Sequence, residues 1–196
     1  MQRKIAAVLL ILIGLAIVSY PLARDAYFEY QQRKLAELWQ ADLQQIDGDA
    51  AIEYTMAQPA IDLTKEMEGL LIIDKIKLTA PILTGITNRN LNLSVASVEK
   101  TGRPGEPGNY CIAGHRSRSY GLLFNRLNEL AVGDDIVVQT EDQTFVYQVT
   151  ASKVVKPENV ELLKPDGDRK LITLITCDYS VKKPYLRLIV TGELEE

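Results

Sequence analysis

One histidine, His115, and two cysteines, Cys111 and Cys177, are all the imidazole and thiol that this chain of 196 residues carries. Two cysteines exclude a disulfide-rich scaffold. Three such side chains in all supply a zinc site of the usual Cys/His type poorly. Aromatic residues are scarce at 7%, and no block of Lys and Arg is interleaved with them. With a formal net charge of −4, this excludes nucleic acid as a natural partner. No Asp-x-Asp-x-Asp-Gly loop marks a dedicated calcium site. The acidic residues Glu129, Asp134, Asp135, Glu141 and Asp142 read as a solvated face, although calcium dependence stays open. There is no internal repeat and no low-complexity tract. The chain has length for one domain plus an anchor, not for two full domains.

One long hydrophobic run is present. Ile5 to Ala23 contains no charged residue. At 1.5 Å per residue it spans roughly 28 Å, about the hydrocarbon thickness of a bilayer. A cleaved signal peptide is the rival reading, but its apolar region is usually about 7–15 residues, and Pro21-Leu22-Ala23 is a poor cleavage signal. Arg3 and Lys4 precede the run, and Arg24 is followed at once by Asp25. The positive-inside rule then puts the N-terminus in the cytoplasm and the remainder outside.

The chain divides into three regions: 1–24 as cytoplasmic tip and transmembrane anchor, 25–67 as helical stalk or linker, and 68–196 as a β-barrel domain. In 24–46, Tyr27, Tyr30, Leu35, Leu38, Trp39, Leu43 and Ile46 recur mostly at three- and four-residue steps, a helical pattern. Asp47-Gly48-Asp49 is a stop signal, and 50–67 is ambiguous. From Glu68 onward, short apolar runs alternate with turns. Gly69–Leu78, Pro81–Leu83, Tyr110–Ala113, Ile136–Gln139, Thr144–Val155, Lys170–Cys177 and Tyr185–Glu193 read as strands. Thr144–Val155 reads as a strand pair or one long bent strand, and Leu122–Leu130 as one or two helical turns. The expected fold is mainly β, a closed barrel of seven or eight strands with short helices, preceded by an N-terminal transmembrane helix. Closure also removes exposed sheet edges.

Side chains alternate along Leu171–Cys177, so Thr173, Ile175 and Cys177 share a face. Cys177 stands where an apolar strand meets the polar Asp178, a good place to present a thiol at a barrel rim. Arg187 lies inside an apolar strand and must reach solvent or a specific partner; if the last two strands pair, it can lie beside Cys177. His115 lies at another strand-to-loop junction, where Gly114 lets the backbone turn and a substrate approach. A thiol of ordinary pKa near 8.5 needs a neighbouring cation to become a nucleophile. A histidine can protonate a leaving amine, and a guanidinium can stabilise an oxyanion. Taken singly, each residue also has a plain structural reading. Cys111, inside its strand, belongs to the core, although it shares a face with His115 and a redox or disulfide role stays open.

Thr173-Leu-Ile-Thr-Cys177 resembles the TLxTC signature of sortases, and Arg187, ten residues on, resembles the arginine of that family's last strand. Pro107–Arg116 is similar to the segment around the family's histidine, and Leu123–Leu130 with Gly133-Asp134 is similar to the family's next segment. The resemblance covers about 68–194. It implies the sortase barrel and a membrane-anchored cysteine transpeptidase on the outer face of a Gram-positive cell, without a cofactor. Cys177 would attack the Thr–Gly or Thr–Ala bond of an LPxTG-like sorting signal on a secreted protein. The acyl group would pass to an amine of a peptidoglycan precursor. His115 would be the acid/base, Arg187 would hold substrate or oxyanion, and Thr176 and Gly114 would contact substrate. Class D fits best, with class A second. No Asp-Pro-Trp lid precedes the barrel, and Ser94–Lys100 lacks a histidine that many relatives have there. A hydrolytic cysteine peptidase on the same residues and an inactive anchored binding module are the alternatives.

Overall fold

The computed structural model describes residues 2–46, 66–117, 121–180 and 186–195. The expected stop signal at Asp47–Asp49, nearly all of the ambiguous segment 50–67, and Tyr185 lie outside them.

Helix α1 runs without interruption over Gln2–Ile46. The sequence suggests an apolar span and then a separate helix. Pro21 and the charged pair Arg24–Asp25 instead sit inside one helix. Leu9–Lys34 includes a stretch long and apolar enough to cross a bilayer, none of it buried against the rest of the molecule.

The barrel is built from eight strands: β1 (Met67–Ile73), β2 (Leu78–Leu83), β3 (Val95–Ser97), β4 (Gly108–Ala113), β5 (Asp135–Gln139), β6 (Thr144–Val155), β7 (Lys170–Asp178) and β8 (Leu186–Leu194). They close in the order β1-β2-β3-β4-β7-β8-β6-β5, with β5 returning to β1. The expected first strand Gly69–Leu78 is broken by a 3₁₀ turn at Asp74–Ile76, and Lys77 with φ 54° reverses the chain. Thr144–Val155 is one strand. A bulge between Val149 and Ala151 lets it pair with β5 at one end and β8 along the rest, bending it round the barrel.

Two features escape hydrophobic pattern reading. The first is helix α2 (Asn88–Leu93), capped by the Thr87 hydroxyl, which accepts from the Asn90 N–H at 3.1 Å. The second is the three-residue β3, which is parallel to β2. Pro81, opposite Leu70 of β1, is tolerated because its backbone faces the other side, where its carbonyl accepts from the Ser94 hydroxyl and β3 pairs only with Ile82 and Leu83.

The interior is filled by alternate residues of each strand. Tyr110 and Ile112 of β4, Ile172 and Leu174 of β7, and Leu188 and Val190 of β8 meet Phe124 and Leu127 of a 3₁₀ turn at Phe124–Glu129. The intervening residues of β4, β7 and β8 therefore face outward, and the site is built on that outer surface.

Candidate functional site

Two neighbouring strands carry Cys177 and Arg187, and His115 follows just past the end of a third. In the antiparallel β7–β8 ladder, Cys177 stands directly opposite Arg187. In the parallel β4–β7 ladder, Ala113 is level with Ile175, and the Gly114 N–H continues the ladder by donating to the Ile175 carbonyl at 3.0 Å. Two residues past Ala113 and Ile175 come His115 and Cys177. Strands in a sheet lie about 4.8 Å apart. Cys177 and Arg187 thus face each other across β7 and β8, and His115 follows two residues past the end of β4, beside β7, at the same end of the barrel. His115 is exposed, and Cys177 and Arg187 are half-buried. Arg187 donates to its neighbour's carbonyl at Leu186 at 3.2 Å.

The outer surface leading to these residues is covered at one end and open at the other. At the start of β4 and β7, Asn109 donates to the Leu162 carbonyl at 3.0 Å and accepts from the Thr173 hydroxyl at 2.7 Å. The β6–β7 connection, with its 3₁₀ turn at Val160–Leu163, thereby lies across the early part of both strands. Cys111 is sealed beneath it, fully buried, with its thiol 3.8 Å from the Leu163 carbonyl. Burial pushes that thiol up to about 12. Both cysteines are free. Cys111 is level with Thr173, four residues and roughly 13 Å along the strand from Cys177, too far for a disulfide. Past the cover, Ala113, Ile175 and Cys177 are partly open.

Two bonds brace these residues from either side. The Thr176 hydroxyl donates to the Gly114 carbonyl at 2.8 Å. Thr176 is only 2% exposed, so its side chain serves the strand contact and points away from the open surface. Gly114 is buried too. A Cβ there would lie 2.7 Å from the Phe124 ring and 3.0 Å from Val95, so packing against the core requires the glycine. On the other side, Arg116 donates to the Asp178 carboxylate at 2.8 Å and to Asn128 Oδ1 at 3.1 Å. Bonds from Ser180, then the Arg116 guanidinium, hold the Asp178 carboxyl below its ordinary range. The residues directly following His115 and Cys177 are thus joined by a largely buried ion pair. Neither this clamp nor the cover over Cys111 is visible in the sequence pattern, because each depends on strand register.

Of the acidic residues read as a solvated face, Asp135, Glu141 and Asp142 are exposed, and two others are paired. Asp134 pairs with Lys75 at 2.6 Å and Glu129 with Arg126 at 2.6 Å. Among the described residues no three or more His, Cys, Asp or Glu side chains gather as a metal site.

The sortase domain family model matches residues 71–195. Sortase A of Bacillus anthracis is 31% identical over 97% of this chain and 93% of its own length. Among solved structures, a Clostridium perfringens sortase D5 transpeptidase aligns with a TM-score of 0.63 at 25% identity, covering 86% of this chain and 98% of the other. Sortase E1 from Streptomyces coelicolor, solved with a tripeptide in its active site, aligns at 0.61 and 35% identity over 67% of this chain and 89% of the other. The chain belongs to the sortase family and is a cysteine transpeptidase. Relatives of classes A, D and E all match, so the matches do not single out a class.

Proposed function

We propose that Cys177 is the nucleophile of a transpeptidation on the outer face of the membrane, with His115 and Arg187 as its partners. The observation that carries this is that Cys177 stands opposite Arg187 in the β7–β8 ladder, while His115 follows the end of β4, the strand paired with β7 on its other side. The Cys177 thiolate attacks the carbonyl carbon of the threonine in an LPxTG-like signal near the C-terminus of a secreted protein. The tetrahedral oxyanion accepts hydrogen bonds from the Arg187 guanidinium. As it collapses, the Thr–Gly or Thr–Ala bond breaks and His115 gives a proton to the departing amine. A thioester joins the client to Cys177. A cell-wall precursor amine then attacks the thioester, its proton passes to His115, and the thiolate is released. The uncharged run 5–23 holds the enzyme in the membrane with its N-terminus inside, 25–67 links that run to the barrel, and 68–196 forms the catalytic domain.

The test is intact-mass analysis of the full chain in detergent. LPxTG- and LPxTA-type peptides are added with and without amine acceptors. An acyl adduct on Cys177 and amine-dependent ligation are expected. Adduct with hydrolysis alone at every amine tried favours the peptidase reading. No adduct on a folded protein with a free thiol overturns the assignment of Cys177 for these signals.

A further inference from the structure

The uncharged stretch of α1 ends at Ala23, and the helix then runs directly onto the barrel. Phe28 packs on the main core, Gln32 is buried and donates to the Leu93 carbonyl at 3.2 Å, and Ala36 packs on Met67, Leu70 and Leu83. These residues recur every four positions, so a single helix face is docked. A docked helix that continues a membrane span sets the attitude of the barrel, where a flexible tether would leave it free.

The attitude is set by the residues that meet at the start of the docked segment. Arg24, Asp25, Tyr27 and Phe28 line a cavity of about 500 Å³ together with His115 and Tyr179. From Ala23 to Phe28 the helix rises roughly 7 Å. The polar layer on each side of the hydrocarbon is roughly 5–7 Å deep. The cavity wall bearing His115 is therefore at headgroup depth if 5–23 fills the hydrocarbon. Side chains suited to that depth are present. Tyr20, Tyr27 and Tyr30 are exposed on the helix, and Tyr179, two residues past Cys177, is 49% exposed. Tyrosine favours the membrane–water boundary, where its ring and hydroxyl meet different surroundings. The β5–β6 turn at 140–143 lies at the other end of the barrel, because the start of β6 pairs with the end of β5 and with the end of β8 remote from Arg187.

We propose that α1 holds the His115–Tyr179 face of the barrel against the phospholipid headgroup layer, so that the site opens along the bilayer surface. This rests on reading 5–23 as a membrane span. The bilayer itself then shields one side of the site from bulk water.

The test is a depth measurement on the full chain in phospholipid vesicles. In a Cys177→Ala background, where Cys111 is buried, an environment-sensitive fluorophore is attached through Asn92→Cys, at the exposed cavity rim, or through Asp142→Cys, at the remote turn. The vesicles carry a quencher on their headgroups. Quenching several-fold greater at 92 than at 142 is expected. Equal quenching, or more at 142, in protein that floats with the vesicles overturns the proposal alone. Protein that does not float overturns the anchor reading and this one with it. Neither readout needs catalysis, so both stand apart from the acyl-adduct test. Phe28→Ser, which removes one docking contact, is expected to shrink the difference between the two sites; a difference that survives in the combined Phe28→Ser, Gln32→Ala variant shows that docking does not set the attitude.

Discussion

The two cysteines lie on neighbouring strands of one sheet, on the same outer surface, about four residues apart in level. Cys111 is fully buried under the β6–β7 connection, and burial pushes its thiol up to about 12. Cys177 lies beyond that cover, half-exposed and opposite Arg187. A thiol does chemistry only as thiolate and only where a substrate can reach it. The contrast is one of access: a short connection laid across the sheet buries one of two identical side chains and leaves the other open.

The sharpest way to break this contrast is to delete each thiol. Cys177→Ala is expected to lower peptide transfer by roughly 10⁴-fold or more while leaving the melting transition in place. Cys111→Ala is expected to leave transfer nearly unchanged and to cost about 1–2 kcal/mol of stability, the usual range for loss of a small buried group. Steady-state ligation and thermal melting on both variants check this. A dead Cys111→Ala that melts normally would mean that the covered end of the sheet takes part in the chemistry.

The partners come next. His115→Ala is expected to reduce transfer by about 10²–10⁴-fold, the range of a lost acid/base. Arg187→Ala is expected to reduce it by about 10²–10³-fold, mostly in kcat, as for a lost oxyanion donor. If Arg187→Lys restored full rate, a point charge would suffice and the paired donors of the guanidinium would not be needed.

The clamp gives a smaller effect. Arg116→Ala leaves the Asp178 carboxylate, 9% exposed, without its charged partner. A loss of about 1–3 kcal/mol is expected, with a roughly tenfold fall in transfer because His115 and Cys177 are held by that pair. The Arg116→Ala, Asp178→Ala double variant should fall short of the sum of the singles by about 0.5–3 kcal/mol if the two act as one unit. Asp178 titrates below the ordinary carboxylate range. The stabilisation is therefore complete above that range and lost only as pH falls through the depressed value. Strict additivity in the cycle would mean that the pair is incidental.

Much of this arrangement is legible in the sequence alone. Barrel class is read from the density of short apolar runs and turns, and the order of His115, Cys177 and Arg187 from motif spacing. The features that escape the sequence depend on register and on tertiary cover. β3 is three residues long and has no readable period. The apolar span and the helical pattern from 24 onward read as two regions, yet one helix runs through both, and Phe28, Gln32 and Ala36 dock its later part on the barrel. Gly114 reads as a site for substrate approach, but the Phe124 ring behind it, brought there from ten residues on, is what excludes a Cβ. Thr176 sits beside Cys177 in sequence and points to the other side of the strand in space.

The gentlest test of the two-thiol comparison is alkaline stability. In the unfolded chain the Cys111 thiol titrates near 8.5; in the folded chain burial raises it to about 12. Between those values the unfolded state has lost the proton and the folded state keeps it, so unfolding releases a proton and stability falls as pH rises. The contribution is fully present below the unfolded value and declines through this window at up to about 1.4 kcal/mol per pH unit. Tyr110 and Tyr147, also raised by burial, add slopes of the same sign near and above pH 10. The informative quantity is therefore the difference between the unsubstituted protein and Cys111→Ala. Denaturant unfolding at pH 8 and pH 10 should show a steeper loss for the unsubstituted protein, since only it carries the buried thiol. Equal losses would mean that the β6–β7 connection opens readily and exposes Cys111 to water, and the contrast between the covered and open ends of the sheet would then be one of average position only.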